Sequence, residues 1–100
     1  MKSSEEIKDI IHSLPKKAGV YQFFDNTKKI LYIGKAKNLK KRVSSYFSKK
    51  HEHAKTRLLV SKINDIKYFV VPTEMDALLL ENNLIKKYQP KYNVMLKDDK

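Results

Sequence analysis

A carboxylate, two tyrosines and a run of basic side chains are the residues of this sequence whose types and spacing suit chemistry on a phosphate. The tyrosines stand in two short strings, Gly19-Val20-Tyr21 and Tyr32-Ile33-Gly34, each setting a phenol beside a strand-like run with a glycine at its edge. The basic run, Gly34-Lys35-Ala36-Lys37-Asn38-Leu39-Lys40-Lys41-Arg42, follows the second string directly. Lysine meets a phosphate as a point charge and arginine as a planar fork. Arg42 and Arg57 are the only arginines, and Arg42 precedes Tyr46 by four residues, so on a helix those two side chains are neighbours. Arg57 reads as solvated.

The carboxylate is Glu81, and helical periodicity singles it out. With about 100° of turn per residue and Ala77 taken as zero, Leu84, Tyr88, Leu80 and Ile85 fall in one apolar arc, and Glu81 lies at roughly +40° inside it. Asn82, Asn83, Lys86 and Lys87 take the other side. A carboxylate at that angle needs a cation, several donors or a metal ion, because an unpartnered buried charge is costly. Two readings stand side by side: a salt bridge to Arg42 or Lys35, or a ligand for Mg²⁺, which keeps much of its water shell and needs few protein oxygens.

The elements that must position these groups follow from turn and capping signals. Val20 to Phe24, a turn over Asp25-Asn26-Thr27-Lys28 and Lys29 to Ile33 read as a hairpin, in which Tyr21 opposes Tyr32 with Cβ atoms roughly 5 Å apart. A one-residue bulge would break that register and send the two rings to opposite faces. Gly34 reads as a turn position. Ser3 or Ser4 caps a first helix with Ile7, Ile10 and Ile11 inward and His12 at its end. Asn38 caps a second, Leu39 to Phe47, with Leu39, Val43, Tyr46 and Phe47 inward. A third helix over Lys55 to Ile63 buries Leu58, Leu59 and Ile63. A third strand runs from Ile66 to Val71 and ends at Pro72. Thr73-Glu74-Met75-Asp76 starts a fourth helix that ends at Gln89-Pro90. Tyr92 to Leu96 reads as a docked extended segment, and His51-Glu52-His53 as a solvated loop.

Composition sets the outer bounds. One hundred residues make one domain, and the tail Lys97-Asp98-Asp99-Lys100 shows no clean domain end, as in a fragment of a longer multidomain chain. There is no cysteine, which excludes disulfides and thiolate metal sites. Apolar runs reach about four residues against the roughly 20 that span a bilayer, and no signal-peptide core is present. A cytoplasmic, monomeric chain is expected. Twenty-two Lys and Arg against eleven Asp and Glu give a net charge of +11, which points to a polyanionic partner, nucleic acid first.

The paired tyrosine strings, with Arg42 and Tyr46 on the next helix, Glu81 on a late helix and a terminal Asn93, resemble the GIY-YIG nuclease family, valine standing for the first isoleucine. Leu14 to Tyr21, Tyr32 to Leu39 and Leu80 to Asn93 are similar to the hallmark segments of its bacterial nucleotide-excision-repair branch, with Ala18 where proline is common. The resemblance implies an α/β (α+β) fold with a small three-stranded antiparallel sheet flanked by helices. It implies cleavage of damaged double-stranded DNA on the 3′ side of a lesion, with one divalent metal, Mg²⁺ or Mn²⁺, on Glu81. By the same resemblance Arg42 stabilises phosphorane-like charge, and Tyr21, Tyr32 and Tyr46 surround the attacking water with Lys35 beside them. Asn93 holds part of the site, Lys35, Lys37, Lys40, Lys41 and Arg42 meet DNA, and Gly19 and Gly34 are structural. Tyr32 is the first choice of base, with a pKa lowered by Lys35 three residues on or by the metal, and Tyr21 the second. Two other readings remain: a free-standing structure-selective nuclease of the same family, or a basic DNA-binding module without catalysis.

Overall fold

In the computed structural model, which describes residues 2–48 and 53–97, the elements run α1 (Ser4–His12), β1 (Gly19–Phe24), β2 (Ile30–Ala36), α2 (Leu39–Ser48), α3 (Ala54–Lys62), β3 (Asp65–Val70), α4 (Glu74–Tyr88) and α5 (Lys91–Lys97). His51 and Glu52 of the polar loop and the last three residues lie outside the described residues.

The caps form where the sequence places them. Ser3 closes a capping box with Glu6 at the start of α1. The Asn38 side chain accepts from the Lys41 amide at 3.0 Å, and Thr73 accepts from the Asp76 amide at 3.1 Å. Gln89 ends α4 in the left-handed region, at φ 46°.

β1 is the central strand, antiparallel to β2 on one side and β3 on the other. Side chains alternate between faces. Tyr21 and Phe23 point into the larger core, with Ile7 and Ile11 of α1, Leu39, Val43 and Tyr46 of α2, Leu59 of α3 and Tyr92 of α5. Val20 and Ile33 point to the other face, where α4 lays Ala77, Leu80, Leu84 and Ile85 over them. Two inward assignments change. Leu58 is 44% exposed, Leu59 alone being buried in α3, and Tyr88 is 47% exposed where α4 runs past the sheet. The tail is helical rather than extended: Pro90 opens α5, and a fully buried Tyr92 anchors it.

The hairpin register departs from the sequence expectation in an instructive way. Asp25 and Lys29 close a three-residue loop with Lys28 left-handed at φ 68°, one residue more than a two-residue tip would use. The Asp25 carboxylate holds this loop by accepting from the Thr27 and Lys29 amides. A bulge then follows at Leu31, between the Phe24–Ile30 and Phe23–Tyr32 pairs. Each shift alone would invert the faces of β2. Together they cancel: Tyr21 opposes Gly34, Phe23 opposes Tyr32, and the two tyrosines share a face on a diagonal rather than directly opposite.

Candidate active site

The site gathers at the outer edge of β2. Tyr21 comes from the central strand, Tyr32 from the edge strand and Tyr46 from α2, with ring centroids 5.9 to 6.4 Å apart. Phe23 lies against all three and forms the apolar floor. The Tyr21 and Tyr46 hydroxyls are 2.8 Å apart in a hydrogen bond. Arg42, one turn before Tyr46, donates to the Tyr46 hydroxyl at 3.4 Å and rests its guanidinium 5.0 Å from that ring's centroid.

Gly34 permits this arrangement. It does not serve a turn, since neither glycine has a positive φ. A Cβ at residue 34 would collide with the Tyr21 phenol, which lies across the position where a side chain would stand. Gly19 answers a similar need on the other side, where a Cβ would strike the Phe69 carbonyl of β3.

Tyr21 is 1% exposed, and burial first, then the neighbouring phenols, push its hydroxyl well above the ordinary tyrosine range. Tyr32 is only partly buried and is also pushed up, by burial, by Tyr46 and by the negative charge of Glu81, with Arg42 pulling the other way. The expected lowering by Lys35 does not occur. Three residues along a strand is an odd number, so Lys35, opposite Val20, leaves on the α4 face while Tyr32 faces α2. The cation acting on Tyr32 is Arg42.

Glu81 sits on α4 in the partly buried arc that periodicity gave it, close enough for its charge to be felt at Tyr32. It forms no ion pair with Arg42 or Lys35, which removes the salt-bridge reading. Asn93 reaches back from α5 to the free edge of β2. Its amide accepts from the Ile33 N–H and donates to the Ile33 carbonyl, both at 2.8 Å, as a neighbouring strand would. Sequence alone gave Asn93 no such partner, because the contact spans 60 residues.

Beside these groups runs an open groove of about 540 Å³ lined by Lys35, Lys37, Asn38, Lys41, Arg42 and Ser45. Lys40 is not among its walls: its amide bonds to the Pro15 carbonyl at the first turn of α2. Lys37 also meets Glu74 at 3.7 Å, an exposed pair worth little to stability. Among the described residues no three His, Cys, Asp or Glu side chains come together. A closed metal cage is therefore not built here, whereas one partly exposed carboxylate suits a hydrated Mg²⁺.

The model of the UvrC-like GIY-YIG domain matches residues 17–94. The chain belongs to that family. UvrABC system protein C of Bacteroides thetaiotaomicron is 67% identical over 99 residues, covering 99% of this chain and 16% of that protein. The Flavobacterium johnsoniae protein of the same name is 69% identical over 90 residues, covering 90% of this chain and 15% of that protein. The chain thus spans about a sixth of the length of these UvrC relatives. The magnesium-bound GIY-YIG N-terminal endonuclease domain of UvrC from Thermotoga maritima is 40% identical, with a TM-score of 0.79 over 92% of this chain and 98% of that one. The fold is that of a GIY-YIG endonuclease domain, as the resemblance implies. No helix among the described residues is long and apolar enough to cross a membrane.

Proposed function

We propose that this UvrC-like GIY-YIG domain is a metal-dependent DNA endonuclease that hydrolyses a phosphodiester on the 3′ side of a lesion in bacterial nucleotide excision repair. It acts as one domain of a longer cytoplasmic protein. The observation that carries this reading is the convergence of Tyr21, Tyr32, Tyr46 and Arg42 at one strand edge, with the unpaired Glu81 within electrostatic reach. The Thermotoga maritima domain binds a catalytic divalent cation, magnesium in one structure. Here Glu81 would hold Mg²⁺ or Mn²⁺, which when bound would supply charge neutralisation at the phosphoryl oxygens.

The chain's own residues do the rest. Arg42 presents its guanidinium at the groove wall, where negative charge grows on the phosphoryl group in the transition state. Tyr46 orients Arg42 from beneath, and Tyr21 fixes the Tyr46 hydroxyl. Tyr32, the more exposed of the two candidate bases, takes the proton of the attacking water as its phenolate, after giving its own proton to solvent; burial opposes that ionisation, and a cation on Glu81 would favour it. Arg42 is the neighbour that favours the ionised form of Tyr32. Lys35, Lys37 and Lys41 track the DNA backbone along the groove, and Asn93 keeps Tyr32 and Gly34 in place by gripping Ile33 between them. Damaged double-stranded DNA is the substrate. UvrB, bound through parts of the longer protein, presents it after UvrA has loaded it.

The test is nicking of end-labelled, lesion-containing DNA in the partner-loaded complex by the full-length protein and its Glu81→Gln variant. Each is run with Mg²⁺, with Mn²⁺ and with chelator. Metal-dependent 3′ nicking that is lost in the variant while DNA binding persists is the expected result. Undiminished nicking removes Glu81 from the metal site, and binding without 3′ nicking by either protein would make this a non-catalytic DNA-binding module.

A further inference from the structure

A second groove, of about 550 Å³, opens on the α4 face of the sheet, at the hairpin-loop end and away from Arg42. α4 covers β2 and part of β1 but leaves β3 bare on this face. Lys28 and Lys29 of the hairpin loop, Lys67 of β3 and Lys91 at the start of α5 stand around the groove, and its walls contain no carboxylate. Asp25 and Asp65 line an adjoining hollow, and Asp25 is engaged by its own loop. Between the lysines stand aromatic rings. Phe69 and Tyr88 are each 47% exposed, and the Lys67 ammonium lies 5.2 Å from the centroid of Phe24.

Gln22 adds a separate observation. It is 6% exposed, lines this groove and forms no side-chain hydrogen bond in the described structure. Its side-chain oxygen and nitrogen are not sealed in the interior but open to solvent, free to hydrogen-bond a ligand in the groove.

We propose that this groove is a second nucleic-acid site, separate from the catalytic groove. It takes unpaired nucleotides by stacking on Phe69 and Tyr88, by phosphate contact with the surrounding lysines, and by hydrogen bonding to Gln22. Lysines alone would serve any polyanion. Exposed rings interleaved with them favour a single strand, because bases in a duplex keep their faces stacked on one another. The site does not depend on the nuclease reading, since it shares no residue with the catalytic groove.

The test is a titration of the ¹⁵N-labelled domain with oligothymidylate in metal-free buffer, following backbone and Gln22 side-chain amide shifts. Saturable shifts at Gln22, Phe24, Lys67, Phe69 and Tyr88 are expected. Phe69→Ser and Tyr88→Ser should each weaken binding about tenfold, within the range for loss of one stacked base. Lys67→Glu, at an exposed position, provides a variant that leaves the Phe69 and Tyr88 rings in place and should also weaken it. Shifts confined to the Lys35–Arg42 side would overturn the proposal. So would equal affinity and the same shifts with oligoglutamate, which would make the groove a docking site for an acidic protein segment. Because the readout is binding without metal, loss of nicking in Glu81→Gln leaves this result untouched.

Discussion

The two outer strands of one small sheet are finished in opposite ways. β2 is gripped along its free edge by the Asn93 amide, flanked by α2 and α4, and carries Tyr32 into the tyrosine cluster. β3 leaves Tyr68 and Val70 on one face and Phe69 on the other between 41% and 47% exposed, and α4 does not extend over it. An unpaired strand edge is a template for association, and proteins usually blunt it with charge or cover it. At β2 a single side chain supplies what a fourth strand would. That frees the space beside the edge for Arg42, Tyr46 and Glu81. The contrast places precision at β2 and accessibility at β3.

Substitutions on the two sides should separate these roles. The largest effect is expected at Glu81, with nicking abolished as described above. Arg42→Ala should lower turnover roughly 10²–10³-fold with DNA affinity nearly kept, read by single-turnover nicking at saturating protein. Full turnover would remove Arg42 from the chemistry. Gly34→Ala should cost about 1–3 kcal/mol in urea unfolding, because the Tyr21 phenol must leave its position or the strand must shift. Asn93→Ala removes two hydrogen bonds from the β2 edge and should cost about 1–3 kcal/mol, with faster hydrogen exchange at the Ile33 amide as its signature. Val70→Thr, on the bare strand, should change stability by less than about 0.5 kcal/mol and leave cleavage alone. A large effect there would erase the distinction between the edges.

Alkali offers a titration of the same contrast. The folded state holds Tyr21 and Tyr32 above the ordinary tyrosine pKa of about 10. Below that value both folded and unfolded chains keep these protons, and the stabilisation is fully present. Above it the unfolded chain releases them while the fold retains them, so stability falls as pH rises toward the folded values. Tyr21→Phe should flatten that fall in unfolding curves taken between pH 9 and 11. An unchanged slope would mean that Tyr21 ionises as freely in the fold as outside it.

Much of this arrangement was legible in the residues because it depends on local rules. Ser3, Asn38 and Thr73 announce helix starts, and the arc containing Glu81 needs only the helical repeat. Other features escaped because they arise from non-local or compensating geometry. The hairpin spacing alone does not reveal an added loop residue cancelled by a bulge at Leu31. The proximity of Lys35 to Tyr32 along the chain misled because strand alternation separates them. Gly34 signalled flexibility in the sequence, whereas the fold uses its missing volume. Tyr92 and Asn93 looked extended because the sheet edge that receives them lies 60 residues away.

The Asn93 grip has a consequence for when the domain becomes competent. During synthesis Tyr21, Tyr32, Arg42 and Tyr46 leave the ribosome first, able to collapse around α1 and α2. The edge of β2 stays open until residue 93 arrives, since contacts that close long loops form late. A nascent chain stalled before that point carries most of the cluster with its edge strand unlatched. The order of translation therefore makes the latching of this sheet edge one of the last steps of the fold.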